Sequence, residues 1–500
     1  MQPRKWLLVA LLTSLVGKGR VCALDLDIKD EGNTAAYNMM SQYHGNETGQ
    51  IPGWIPESWW EGGAMFMTLV QYWYWTGDTT YNDVTREGML WQKGRDDFFP
   101  RNWSHFLGND DQMFWGLAAM TAAELNFTEK ENQPSWLSLA QGVFNTQVLR
   151  WDESGCGGGM RWQIWPFQAG YTTKNAIPNG GLFQLAARLG RYTANETYIR
   201  WAEKIWDWSV TTPLLKSDDW TIADTTSMEN NCQDHGDQQW TYNYGAYIAG
   251  AAYMYNLTDG APKWRAGIDG LLATIWRTFF AKDAMSEISC EQTMTCDRNQ
   301  DTFKGFLSSW LAFTATIAPY TASDIVPKLH RSAIGAARQC LDGQSCGRRW
   351  HQDDWDGSAT MESDMSALSV FSSAIVAFRD GAQPLTLATG ATSSSNPNAG
   401  GMKDTIPFNK RPVTAGDRAG APFVTFLFLA GWIWGLVWVL QGLTSAVKAN
   451  ERVFIGSAPF RIEIPRSNTD TGTDTDAVGL SRSGDSNSEP RGHNPSLTTH

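Results

Sequence analysis

The feature that most constrains this chain is a helix–turn–helix joint that recurs along it. The first copy is Tyr72-Trp73-Tyr74-Trp75-Thr76-Gly77-Asp78-Thr79-Thr80-Tyr81. Others are Arg191-Tyr192-Thr193-Ala194-Asn195-Glu196-Thr197-Tyr198 and Met254-Tyr255-Asn256-Leu257-Thr258-Asp259-Gly260, with looser copies at 125–136 and 319–325. In each, an aromatic helix runs into small polar residues and a more polar helix starts soon after. Gly, Asn and Thr suit a helix stop followed by an N-cap. The segments before the joints (62–75, 111–125, 179–192, 239–255 and 303–320) are rich in Ala, Gly and aromatics. Small residues permit close packing, so these are expected as inner helices. The segments after the joints, such as 198–208 and 264–279, are amphipathic and charged, as an outer layer requires. Residues 361–378 supply a sixth inner helix, and 34–43 an outer one that closes the ring. The predicted fold is all-α, an (α/α)6 barrel of two concentric helix layers. An open solenoid is the alternative.

The inner-to-outer joints are short. The outer-to-inner connections are long: 44–57, 93–109, 150–179, 210–239, 282–303 and 339–361. Ring closure puts all of them on one rim, above the N-termini of the inner helices. Loops this long are functional or disordered, and these carry tryptophans and cysteines, which argue for order. Cys290 and Cys296 are close in sequence, as are Cys340 and Cys346, so each pair suits a small staple. Cys156 and Cys232 would then bridge distant loops. This is one of several pairings that these cysteines allow.

The ends of the chain place it in the secretory route. Arg4 and Lys5, the apolar run 6–16 and Val21-Cys22-Ala23 read as a signal peptide over 1–23. Sequons at Asn46, Asn102, Asn126, Asn195 and Asn256 are glycosylation candidates. The folded domain is expected over 24–380, followed by a Ser/Gly/Pro-rich stalk over 381–421. The apolar run 422–443 reads as a membrane segment or a lipid-anchor (GPI) attachment signal. Residues 444–500 read as a disordered polar tail. The expected location is the extracellular face of the plasma membrane or the cell wall.

A formal net charge of -12 argues against nucleic acid as a partner. Tryptophan is abundant, at 26 residues, and several sit beside Gly, Asn, Asp or Gln. Sugar rings stack their C–H faces on aromatic rings, although most tryptophans serve the core. The acidic run Asp353-Asp354 with Asp356 reads as a solvated surface, and no His/Asp cluster has metal-ligand spacing, so neither metal nor cofactor is expected.

Against this frame, Asp110 and Asp111 stand out, because they open the second inner helix on the loop rim. A helix N-terminus favours an anion. Two adjacent carboxyls cannot both ionise freely, which leaves one acid and one base. Glycosidases use such a pair. A capping role explains the same two residues.

Other motifs bear on that choice. Trp59-Trp60-Glu61-Gly62-Gly63-Ala64-Met65, Leu107-Gly108-Asn109-Asp110-Asp111-Gln112-Met113-Phe114-Trp115 and Cys156-Gly157-Gly158-Gly159-Met160-Arg161-Trp162-Gln163 occur together. Lys174-Asn175, Asn179-Gly180, Ala186-Ala187-Arg188-Leu189 and Trp355-Asp356-Gly357 accompany them. From about residue 24 to 378 the chain thereby resembles glycoside hydrolase family 76, the endo-α-1,6-mannosidases, and especially its fungal cell-wall branch. The resemblance implies a retaining reaction with Asp110 as nucleophile and Asp111 as acid/base. It also implies an α-1,6-mannose glycan as substrate, with water or a wall glucan as acceptor. Substrate contacts are expected from Trp59, Trp60, Glu61, Asn109, Arg161, Trp162, Lys174, Asn175, Asn179, Gln239, Trp240, Asn243, Trp355 and Asp356. A mannan-binding wall protein without activity is the alternative. A polysaccharide lyase would call for a Tyr/His/Arg centre instead.

Overall fold

The computed structural model describes residues 28–100, 104–280, 282–340, 345–378, 383–400 and 415–454. The chain is helical over 28–41 (α1). Then follow α2 (Trp59–Thr76), α3 (Asn82–Trp91), α4 (Asn109–Glu124), α5 (Trp136–Val148), α6 (Ala176–Thr193) and α7 (Glu196–Val210). The series continues with α8 (Thr241–Leu257), α9 (Pro262–Phe279), α10 (Arg298–Ile317), α11 (Ala322–Arg338) and α12 (Met361–Ala374). The even-numbered helices contact one another in sequence, and α12 packs back on α2. The ring is therefore closed, and the fold is the (α/α)6 barrel rather than a solenoid.

Burial separates the two layers. Every residue of α4 from Gln112 to Glu124 is buried, whereas α11 buries only a stripe that includes Ile325, Leu329, Ser332 and Ala336. The small residues of the inner helices admit their neighbours' side chains. Gly63 lies against the Trp115 ring and Gly245 against Trp310. A Cβ at Gly63 would stand 2.9 Å from the Trp115 backbone nitrogen, so these glycines set the spacing of the ring.

Some boundaries differ from the sequence reading. Helix α10 starts at Arg298 rather than 303, because Asp297 and Gln300 form a reciprocal cap: Asp297 accepts from the Gln300 N–H at 3.0 Å, and Gln300 accepts from the Asp297 N–H at 3.1 Å. The rim also holds short antiparallel strands. β1 (Thr173–Asn175) pairs with β4 (Thr225–Ser227), and β2 (Leu215–Lys216) pairs with β3 (Thr221–Ile222). Disulfides join Cys156 to Cys232, Cys290 to Cys296 and Cys340 to Cys346. The first of these and the β1–β4 pair bind the third and fourth long connections to each other.

The expected stalk is corrected over 383–400, which is a strap on the barrel. The Leu385 N–H donates to Glu124 O at 2.8 Å, Arg191 Nη1 to Pro384 O at 2.8 Å, and Asn145 Nδ2 to Ala399 O at 3.0 Å. These bonds explain why a Ser-rich stretch is ordered: its polar groups find partners on the helix ends and on α5. Asn126 and Asn256, two of the sequon residues, are engaged at the same end. Asn126 Nδ2 donates to Gly390 O at 3.2 Å, and Asn256 accepts from Arg191 Nε at 2.8 Å. Asn195 caps α7, accepting from the Thr197 N–H at 2.9 Å, and Asn46 is exposed.

The remaining described segment forms a unit of its own, helix α13 (Ala415–Phe454). Its stretch Pro422–Leu443 has a mean hydropathy of 2.1 and is long and apolar enough to cross a membrane. Residues 444–454 continue this helix instead of starting a disordered tail. The expected signal peptide, Asn102, and residues 401–414 and 455–500 lie outside the described residues.

Candidate active site

Asp110 and Asp111 occupy the first turn of α4, on the rim of long connections. Asp111 Oδ2 accepts the Gly108 N–H at 2.7 Å, so this carboxyl closes the helix start. Asp110 Oδ2 accepts from Trp162 Nε1 at 3.1 Å. Its Oδ1 is enclosed and has no hydrogen-bond partner among the described residues. Gly108 leaves room for that oxygen, because a Cβ here would push the Asp110 carboxyl aside.

Both carboxyls hold their protons more tightly than usual. Burial raises Asp110 well above the carboxylate range, and the charge of Asp111 adds to this. Burial raises Asp111 to about 6, against the pull of the Gly108 N–H. The two residues nevertheless keep part of their surface open. Near neutrality the pair therefore shares one proton between two carboxyls.

The third long connection is zipped onto the head of α4. The Asn109 N–H donates to Trp162 O at 2.8 Å, and Asn109 Nδ2 donates to Arg161 O at 2.9 Å. Gly108 bridges Gln163. From behind, Gln147 Nε2 donates to Asn109 O at 2.6 Å, and Arg150 Nε to its side chain at 2.6 Å. Asn109 is thus a buried positioning residue with no face left for substrate. Arg161 stacks on Tyr171 at 4.2 Å and pairs with Asp152 at 2.9 Å.

Several other expected contacts serve the scaffold instead. Lys174 is fully buried and donates to the carbonyls of Asp152, Gly155 and Gly158. Asn179 exchanges bonds with the Met160 backbone. Asn175 is buried and precedes α6 as its N-cap. Trp59 is buried, stacks on Trp115 and donates to Gln92. Glu61 shares Arg298 with Glu362 beneath the rim. Asp356 caps its own loop, accepting from the Arg349 and Ser358 N–H groups at 2.9 Å, and Trp355 donates to Ser358 O. Gln239 accepts from the Tyr244 hydroxyl at 2.5 Å. In each case a side chain that reads as a sugar contact is committed to holding a rim loop or a helix head in place.

Trp60 and Trp162 stay part-exposed on the rim, whereas Trp240 and Asn243 are buried at the head of α8. Trp60 packs on Phe114 of α4 at 4.6 Å, and Trp240 lies edge-on to Phe303. Asn243 donates to Asp224 at 2.9 Å. Sequence reading missed Asp224 and its neighbour Tyr242. Burial raises Asp224 to about 6. Burial, then the charges of Asp224 and Asp110, hold the Tyr242 hydroxyl protonated. That coupling sets Tyr242 in the field of the pair, stacked at 3.7 Å on Phe303. No motif marks Asp224, because it precedes β4, whose place on the rim is set only by its pairing with β1.

A closed helical barrel with a proton-sharing carboxyl pair on its loop rim is the framework of a glycosidase. The chain belongs to glycosyl hydrolase family 76, whose family model matches residues 27–388. It is 40% identical over 416 residues to mannan endo-1,6-alpha-mannosidase DCW1 of Saccharomyces cerevisiae, covering 80% of this chain and 91% of that one. It is 36% identical over 434 residues to mannan endo-1,6-alpha-mannosidase DFG5 of the same yeast, covering 84% and 94%. The crystal structure of Dfg5 from Chaetomium thermophilum in complex with glucosamine superposes with a TM-score of 0.71 at 42% identity, covering 75% of this chain and 95% of that one. The α-1,6-mannanase GH76A of Salegentibacter sp. HEL1_6 shares the fold at a TM-score of 0.57 and 16% identity, covering 69% and 98%.

Proposed function

We propose that this protein is a retaining endo-α-1,6-mannosidase of the fungal cell surface, acting on wall mannan or the glycan of a lipid anchor. The observation that carries the reading is the pair itself: adjacent carboxyls at a helix head, both raised, one braced by Trp162. The names of the family relatives support the substrate. With the pair's shared proton on Asp111, Asp110 attacks the anomeric carbon while the glycosidic C–O bond breaks and Asp111 gives that proton to the leaving oxygen. Asp111 then takes a proton from an incoming hydroxyl, which attacks the same carbon and displaces Asp110. Water as that hydroxyl gives hydrolysis, and a sugar hydroxyl, such as one from wall glucan, gives transfer. The Asp224–Asn243 pair and Tyr242 are the proposed wall for the reacting mannose. The apolar stretch of α13 and the expected signal peptide support a secreted, membrane- or lipid-anchored form.

The test is the product of α-1,6-mannooligosaccharide turnover, followed by NMR before mutarotation. Retention at the anomeric carbon with wild type and none with Asp110→Asn is expected. An inverted first product, or equal turnover by both proteins, rejects the mechanism. Mannan binding without turnover by wild type would leave the reading of an inactive binding protein.

A further inference from the structure

Two phenylalanines on the connections that hold the catalytic pair are exposed. Phe106 is 76% exposed and Phe167 is 71% exposed. Both belong to the connections that build the head of α4. Trp165 Nε1 donates to Ser104 O at 2.8 Å, Gly108 bridges Gln163, and the Asn109 N–H donates to Trp162 O. This antiparallel register carries Phe106 to the level of Trp165. The Trp165 and Phe167 rings lie 6.0 Å apart and within 22° of parallel, and His105 packs on Phe106 at 4.1 Å. Phe106 precedes Asp110 by four residues, so their Cα atoms are within about 14 Å. The aromatic residues therefore lie on the same two connections that form the head of α4.

What sets these two apart from the other exposed apolar side chains is that they share one rim with Trp165 and polar neighbours, and an aromatic patch rimmed by polar residues marks a ligand groove. The geometry points to a stacking platform, Phe106 and Phe167 backed by Trp165, for the α-1,6-linked mannan chain beyond the mannose at Asp110. This rests on the function proposed above. An enzyme that cuts inside a chain must hold sugars on both sides of the bond. Flat aromatic faces with polar neighbours, such as His105 and Gln168, suit the C–H faces of pyranose rings. A net charge of -12 disfavours an anionic lipid surface as the occupant.

The test uses the full chain in detergent. Retention on beads bearing long α-1,6-mannan is compared for Asp110→Asn and for Asp110→Asn with Phe106→Ala and Phe167→Ala. The added substitutions are expected to weaken retention about tenfold. In the active background, Phe106→Ala/Phe167→Ala raises KM for long mannan by a similar factor and leaves α-1,6-mannotriose turnover unchanged. Undiminished retention, or an equal loss on long and short substrates, overturns the platform. Retention on β-glucan beads or neutral lipid vesicles that falls with the same substitutions, while retention on mannan does not, overturns the choice of occupant. If retention falls as expected but Asp110→Asn still turns over substrate, the platform stands and the catalytic assignment fails.

Discussion

The two ends of α4 carry carboxylates in opposite circumstances. At its head, Asp110 and Asp111 crowd each other, and burial and the neighbouring charge both raise Asp110. At its foot, Glu124 is buried and paired. Arg188 Nη2 reaches it at 2.7 Å, and the Tyr253 hydroxyl donates to it at 2.9 Å. The helix dipole disfavours an anion at the foot, and the guanidinium offsets that. The strap 383–400 then covers this end, with Leu385 on the Glu124 carbonyl. The head is where charge is left unsettled, and the foot is where it is neutralised. One helix thus serves both reactivity and stability, because an inner helix of the barrel spans from loop rim to floor.

That contrast can be broken at several points. The largest expected effect is at the head. Asp111→Asn removes the proposed proton donor and is expected to lower turnover of α-1,6-mannan roughly 10²–10⁴-fold, with an unchanged circular-dichroism spectrum. At the foot the pattern reverses. Arg188→Ala leaves Glu124 buried without its counter-ion and costs about 3–5 kcal/mol of stability by denaturant unfolding, while the rate per folded molecule stays near wild type. A large loss of rate with little loss of stability would show that the floor is coupled to the chemistry.

Smaller changes sharpen the comparison. Trp162→Phe removes the donor to Asp110, worth about 1.5–3 kcal/mol for a bond to a charged group. The anion is then less favoured, so the pKa rises and the acid limb of the kcat/KM profile moves to higher pH. An unmoved limb would mean that Trp162 only packs. The smallest effect concerns stability. The folded-state pKa of Asp111 is raised to about 6 from an ordinary 3.8. Its protonated form is therefore favoured by folding, and that stability is present below about pH 4 and lost as pH rises through 6. Asp110→Asn/Asp111→Asn removes this loss. The double variant should melt on the order of 2–4 °C higher than wild type at pH 7 and level with it at pH 4. Equal melting at both values would show that the pair is not strained by its own charge.

The layer pattern was legible because it depends on local composition. Ala and Gly beside aromatics mark helices buried all round, and charged amphipathic segments mark helices buried on one side. Asp110 and Asp111 were legible for a similar reason: they sit where a helix must begin. Lys174, Asn179 and Asp356 misled because a polar residue in a long rim loop looks the same whether it faces a ligand or a carbonyl. The Ser-rich 383–400 misled likewise, since its composition suits a stalk and the bonds that hold it, such as Leu385 to Glu124 and Ser393 to Glu129, reach residues far away in the chain.

By itself the sequence determined the helix periods, the stops and caps between them, and the carboxylates at one helix head. These are properties of residues within a few positions of each other. The tertiary structure alone decided which loops meet. It brought Trp162 onto Asp110, Asp224 toward Tyr242, Phe106 level with Trp165, and the strap onto the foot of α4. Those contacts join residues tens to hundreds of positions apart, and only closure of the ring makes them neighbours.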